Sequence, residues 1–133
     1  MTDIAGKTAF ITGGANGIGL GIARALAGRG ANLMLVDLNE EALVAARAEF
    51  EGRNVKVETA VCDVAHAEAV KDAAERAVSA HGKVHIIVNN AGVALAGEAG
   101  DIALEDWRWI VDINLMGVIS KRACRAGIRR TFL

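Results

Sequence analysis

A glycine-rich run, Gly13-Gly14-Ala15-Asn16-Gly17-Ile18-Gly19, follows a short apolar stretch and opens a helical pattern. Glycine lets the chain turn tightly and lets backbone approach a bulky anion, while a helix N-terminus offers free N–H groups and positive potential. The run therefore reads as a cradle for the pyrophosphate of a dinucleotide. Its spacing is Thr12-Gly13-x-x-x-Gly17-x-Gly19 and not G-x-G-x-x-G. Gly6-Lys7-Thr8 ends like a P-loop, but Met1 stands where that motif needs its first glycine, and Lys7 precedes the strand instead of following it. NTP hydrolysis is not expected.

Further along, acids and amides follow each apolar run. Asp37 can accept both hydroxyls of an adenosine ribose and repel a 2'-phosphate, or it is a solvated turn carboxylate. Leu38, Asn39, Glu40 and Glu41 follow it, and Asn16 stands where a base could have met a phosphate, so NAD is preferred over NADP. Asp63 and Val64 offer a carboxylate and an N–H to an adenine edge, with Asp63 capping the next helix as the competing role. Asn89-Asn90-Ala91-Gly92 suits close approach of backbone to a ribose, and stitching of adjacent strand ends is the alternative. Trp107, Ile110, Val111 and Val118 define the inner face of a late helix, and Asn114 falls on that face, where a buried amide must be paired. His66 reads as exposed in a first turn, and His81 and His85 as surface residues opposite any crevice.

Positioning these groups is the task of alternating strands and helices. Thr8 to Thr12 reads as a first strand, followed by a helix with Ile18, Ile22, Ala25 and Leu26 inward. Leu33 to Val36 is a second strand, and Asn39 caps a second helix whose stripe is Leu43, Ala46 and Phe50. Val55, Val57, Thr59 and Val61 alternate with Lys56, Glu58 and Ala60, as in a strand near a sheet edge. A third helix spans about 67–80 with Val70, Ala74, Ala77 and Val78 inward, His85 to Asn89 is a fourth strand, and a fourth helix begins near Leu104. Right-handed crossovers then give the fold class α/β, a Rossmann-like doubly wound parallel sheet of four strands in order 3-2-1-4 with helices on both faces. The crevice lies between strands 1 and 4, beyond their carboxyl ends.

Thr12-Gly-x-x-x-Gly-x-Gly19, Asp37, Asp63-Val64, Asn89-Asn90-Ala91-Gly92 and Asn114, in this order over residues 5 to about 119, resemble the short-chain dehydrogenase/reductase family. The resemblance implies an NAD(P)-dependent oxidoreductase moving hydride between nicotinamide and an alcohol or ketone. It assigns Gly13, Gly14, Ala15, Asn16 and Ile18, with Gly17 and Gly19 shaping the turn, to the pyrophosphate and adenosine side. Asp37 would take the ribose, Asp63 and Val64 the adenine, and Asn90 with Ala91 and Gly92 the second ribose. Asn114 would be catalytic, on a distorted helix whose freed backbone holds a water of the proton relay. Family members are about twice this length, and their chemistry rests on a Ser and a Tyr-x-x-x-Lys pair. This chain of 133 residues has no Tyr and no Pro. Ser120-Lys121 lacks a partner phenol and is not read as a substitute.

Charge and composition bound the alternatives. The chain carries 15 Lys+Arg against 16 Asp+Glu, and 53% of it is hydrophobic, which excludes a disordered segment. Lys121, Arg122, Arg125, Arg129 and Arg130 crowd the end, so residues 1–120 hold the remaining ten bases against all sixteen acids. The organisation is expected to be a dinucleotide-binding half-domain over 1–120 and a basic tail over 121–133, resembling a premature stop or an out-of-frame reading. Cys62 and Cys124 form no CxxC pair, so neither a disulfide framework nor a metal site is expected. With no signal peptide or membrane span, the chain reads as cytoplasmic. An acidic body with 4% aromatics argues against nucleic acid. The leading reading is a truncated dehydrogenase that binds NAD without turnover, and the alternative is a non-catalytic NAD-binding or assembly module. Strand 4, left as an edge, is expected to favour aggregation or self-pairing into a homo-oligomer, and a monomeric, cooperative melt would count against that.

Overall fold

Thr8-Ala9-Phe10-Ile11-Thr12 forms β1 (Thr8–Thr12), and all five residues are buried, as befits a central parallel strand covered on both faces. The computed structural model describes residues 3–122 and Cys124. After β1 come α1 (Gly17–Gly28), β2 (Asn32–Asp37), α2 (Glu40–Ala48), β3 (Val57–Val61), α3 (Ala67–His81), β4 (Ile86–Val88) and α4 (Leu104–Val111). A π-helical turn at Asp112–Met116 leads into α5 (Gly117–Ser120). The four strands are parallel in the order β3-β2-β1-β4, with Phe10 opposite both Met34 and Ile87.

Alternation along the strands sorts the core into two layers. Ala9, Ile11, Leu33 and Leu35 face α1 and α2, where Leu20, Ala23, Leu43, Ala46 and Phe50 meet them. Phe10, Met34 and Val36 face the other way, toward Val70, Ala74 and Ala77 of α3 and toward Ile113 and Cys124. The doubly wound arrangement read from the sequence is therefore present. Asn39 caps α2 as expected, its Oδ1 accepting the Ala42 N–H at 2.9 Å.

Two helical faces differ from expectation. In α1 the buried residues are Gly19, Leu20, Ala23 and Ala27, whereas Ile18 is 77% exposed, Ala25 is exposed, and Ile22 and Leu26 are only half-buried. The rotation follows from Gly19, whose missing side chain lets the helix lie directly on the preceding turn; a hydrophobicity count weights that contact at nothing. α4 buries no residue, and Trp107, Val111 and Val118 are each about two-fifths exposed. The stripe that seats this last helical segment is Ile113, Gly117, Lys121 and Cys124. Asn114, expected inward, is exposed, and its amide pairs with Val93, accepting the N–H at 2.9 Å and donating to the carbonyl at 2.8 Å. The helix is distorted at that residue, since Asn114 sits in the middle of the π turn. Lys121 and Cys124, assigned to the basic tail, are buried; the rest of 125–133 lies outside the described residues.

His81 and His85 also depart from a simple surface role. His81 is half-buried at the end of α3, with Nε2 3.1 Å from the Leu33 carbonyl and Nδ1 buried without a partner. His85 is exposed, yet its Nδ1 accepts the Thr8 N–H at 3.0 Å, so that nitrogen carries no proton. Burial pushes both pKa values down, helped at His85 by Lys7 and Lys83. A histidine whose folded pKa is depressed binds its proton more readily when unfolded, so the stability it contributes is complete above the ordinary value near 6.5 and lost as pH falls below it. Tm is therefore expected to hold from about pH 8 to 7 and to fall between about pH 6.5 and 5.5, above the range where carboxylates titrate. A flat profile across that interval in a calorimetric series would contradict it.

Candidate functional site

The carboxyl ends of β1 and β4 are tied by one hydroxyl and one amide. Thr12 Oγ1 lies 3.2 Å from Asn90 N and 3.1 Å from Ala91 N, and 3.3 Å from the Val88 carbonyl. Asn90 Nδ2 returns the link by donating to the carbonyls of Thr12 at 3.0 Å and Gly13 at 3.1 Å. The stitching role anticipated for this amide pair is thus filled by the Asn90 side chain, and its backbone borders the crevice.

Between those ends the glycine-rich run makes its turn. Gly13 adopts φ +62°, in the left-handed region, and a Cβ there would come within 2.8 Å of Asn90 Nδ2. A Cβ at Gly19 would overlap the Gly13 carbonyl oxygen. The first bond recorded into α1 runs from Leu20 N–H to Asn16 O at 3.0 Å, which leaves the N–H groups of Gly17, Ile18 and Gly19 at the open N-terminal turn. Such a terminus with no side chain in the way suits an anion. Gly14 and Ala15 are buried beneath it, and Asn16, Gly17 and Ile18 are exposed.

Asp37 closes β2 and turns back toward this loop. Its Oδ2 accepts the Ala15 N–H at 3.2 Å and its Oδ1 the Asn39 N–H at 3.1 Å. An ionised carboxylate has about four acceptor positions, so both oxygens keep capacity for a diol. Asp63 follows β3 and uses Oδ1 to accept the Ala65 N–H at 2.9 Å; α3 itself has no side-chain cap, so the capping alternative is not the one adopted. Gly117 lets the last helical segment close on this loop, since a Cβ there would sit 3.0 Å from the Val64 carbonyl.

A cleft of about 270 Å³ joins these parts, near the lower end of small-molecule sites at roughly 300 Å³. Gly13, Asp37, Asp63, Val64, Asn90, Ala91 and Gly92 all line it, and Asn114 stands at its rim, with Oδ1 3.3 Å from where a Gly92 Cβ would lie. Leu38, Cys62, Val93 and Ile113 line it as well and were not singled out from the sequence. The first three adjoin motif residues, so strand-end position was the available signal. Cys62 is inert despite its place. Burial first, and the Asp63 carboxylate second, push its thiol up to about 11, and burial does the same to Cys124. Reaction with a thiol reagent at about pH 8 is expected to be on the order of a hundredfold slower than after denaturation, and equal rates would refute the burial argument.

The residues fit a dinucleotide: Gly13 and Gly19 let the turn pack against the Asn90 side chain with no side chain of its own over the cleft, and the acceptors at Asp37 and Asp63 line that cleft together with Gly13. A parallel sheet of this order with a glycine-rich β1–α1 turn defines the Rossmann-like class of nucleotide-dependent oxidoreductase folds. The family model for short chain dehydrogenases matches residues 7–129, and the chain belongs to that family. D-threitol dehydrogenase of Mycolicibacterium smegmatis is 40% identical over 128 residues, covering 92% of this chain and 49% of that protein. Oxidoreductase UcpA of Salmonella typhimurium is 42% identical over 118 residues, covering 89% and 44%. Among solved structures, a short-chain dehydrogenase/reductase of Burkholderia phymatum in complex with NAD superimposes with a TM-score of 0.90 at 34% identity, covering 96% of this chain and 46% of that one. A blue fluorescent protein from a metagenomic library, in complex with NADPH, gives 0.90 at 32% identity, covering 95% and 53%. The chain spans about half the length of the curated relatives it matches. Among the described residues no helix is long and apolar enough to cross a membrane.

Proposed function

We propose that residues 1–120 form the dinucleotide-binding half of a short-chain dehydrogenase acting on an alcohol or ketone, and that this chain binds NAD in preference to NADP without turning over substrate. The observation that carries the reading is the close-packed glycine turn at Gly13 and Gly19, with the Asp37 carboxylate bonded to that loop and lining the same cleft as Gly13. Gly13 to Gly19 hold the diphosphate on the N-terminus of α1, with Ile18 covering the adenosine side. Asp37 accepts the ribose hydroxyls, Asp63 and Val64 meet the adenine, and Asn90, Ala91 and Gly92 border the second ribose. When bound, the dinucleotide supplies the nicotinamide that takes or gives hydride. Asn114 is the one member of the proton relay in this reading, seated within the π turn and paired through its side chain with Val93. The relay's phenol has no counterpart, since the chain contains no tyrosine.

That absence also favours a second reading, a non-catalytic NAD-binding or assembly module. Isothermal titration of the chain with NAD and with NADP tests the shared core of both readings. Heat with NAD and a weaker response to NADP is expected, together with no alcohol oxidation. No heat with either coenzyme would overturn it, and turnover by this chain alone would overturn the non-catalytic part.

A further inference from the structure

The four-stranded sheet ends in β3 on one side and β4 on the other, and at β3 a charged side chain is folded over the backbone. Leu33 N–H donates to the Lys56 carbonyl at 2.8 Å and Cys62 N–H to the Asp37 carbonyl at 2.9 Å, so the even-numbered residues of β3 pair with β2. Backbone groups alternate in direction along a strand, and those of Val57, Thr59 and Val61 therefore point out of the sheet. Such a row is a template for another strand. The β-branched residues Val55, Val57, Thr59 and Val61 make it a good one.

Glu58 closes the row at its centre. Its Oε1 accepts the outward Thr59 N–H at 3.0 Å, and Arg76 Nη2 and Arg47 Nη1 donate to the same oxygen at 2.9 and 3.4 Å. Arg47 belongs to α2 and Arg76 to α3, which pack on opposite faces of the sheet. The three side chains thus join both helical layers across the edge, and the Glu58 side chain is only 22% exposed despite its charge. Burial works against that charge, yet the Thr59 N–H and the Arg76 guanidinium hold the Glu58 pKa below its ordinary value, so the carboxylate is ionised at neutral pH. On the α3 side a groove of about 380 Å³, lined by Ala60, Val61, Ala69 and Ala73, also carries Arg76. A side chain of an added strand would have to enter that space.

We propose that Glu58, with Arg47 and Arg76, guards the β3 edge against a second copy of this chain, and that removing the three lets two β3 strands pair antiparallel about Thr59. Two such edges related by a two-fold axis at Thr59 are self-complementary, with Val57 of each copy opposite Val61 of the other and Ala60 opposite position 58. In that pairing the two Thr59 residues would exchange N–H···O=C bonds. The Glu58 carboxylate prevents this by holding the N–H itself, and two guanidiniums from each copy would be brought together at the axis. This edge is separate from β4, where self-pairing is expected from the sequence, so the test follows the amides of β3.

Residue-resolved amide exchange on the whole dilute chain reads the guard directly. Thr59 N–H is expected to exchange at least about tenfold more slowly in the parent than in Glu58→Ala, as befits a bond to a charged acceptor, and equal rates would overturn the proposal. Sedimentation over a concentration series then reads its purpose. The variant Arg47→Ala/Glu58→Ala/Arg76→Ala is expected to associate at about tenfold lower concentration than the parent, a modest shift in affinity, with the Val57, Thr59 and Val61 amides becoming protected together. Arg24→Ala/Glu49→Ala, which deletes an exposed ion pair on the helices away from any strand edge, should sediment as the parent does. Because the triple variant could fold poorly, Glu58→Ala is also compared with the parent in salt near 1 M, which screens the two guanidiniums left behind, and the same association is expected. Association no greater than the parent's, or association that leaves those three amides open, would overturn the proposal.

Discussion

Gly19→Ala is expected to abolish NAD binding and to destabilise the chain by about 3 kcal/mol, at the upper end of what overpacking costs. The added methyl would overlap the Gly13 carbonyl and come within 2.6 Å of Asn90 Nδ2, so neither the turn nor the β1–β4 stitch can keep its geometry. Relief by a side-chain shift is not open to it, because the nearest atom is backbone. Gly21→Ala provides the control. It lies one half-turn further along α1 with nothing within 4 Å of its added Cβ, and there alanine is expected to stabilise by roughly 0.5–1 kcal/mol through helix propensity alone. Denaturant melts of the two variants beside the parent should move in opposite directions. If Gly19→Ala melts with the parent and binds NAD, the close packing that defines the cradle is not real.

Asp37→Asn is expected to weaken NAD binding by about 10- to 100-fold, the equivalent of the roughly 1.5–3 kcal/mol that hydrogen bonds to a charged group contribute. The variant keeps an oxygen that can accept the Ala15 N–H, so the loop and the melt should be preserved. What disappears is the negative charge that disfavours a 2'-phosphate, and the ratio of NAD to NADP affinity should collapse with it. Parallel titrations of parent and variant with both coenzymes measure this. A parent chain that binds NADP as tightly as NAD would remove Asp37 from its proposed role.

Local chemistry made much of this arrangement legible. Thr8 to Thr12, Asn39 before two glutamates, and the Leu43-Ala46-Phe50 stripe each satisfy their element by their own side chains, and the structure has them as read. The cleft residues were legible for a related reason: in a parallel sheet they must follow strand ends, and Asp37, Asp63 and Asn90 do. What escaped was packing that hydrophobicity cannot signal. Gly19 sets the face of α1 by having no side chain, and Gly117 and Lys121 set the face of the last segment, one by absence and the other by burying an amine. His81 looked like a surface residue because nothing local announces that its ring reaches the Leu33 carbonyl on a strand far away in sequence.

The π turn at Asp112–Met116 has a bearing on how tolerant the chain is to small deletions. One surplus residue in a helical turn offsets everything after it by about 100° relative to an unbroken α-helix. Removing a single residue from that turn would return the coil to its ordinary pitch and leave Gly117, Lys121 and Cys124 facing the sheet, whereas adding one would turn them away from it. The irregular turn thus works as a phase adjuster, and loss of one residue there is expected to be better borne than gain of one.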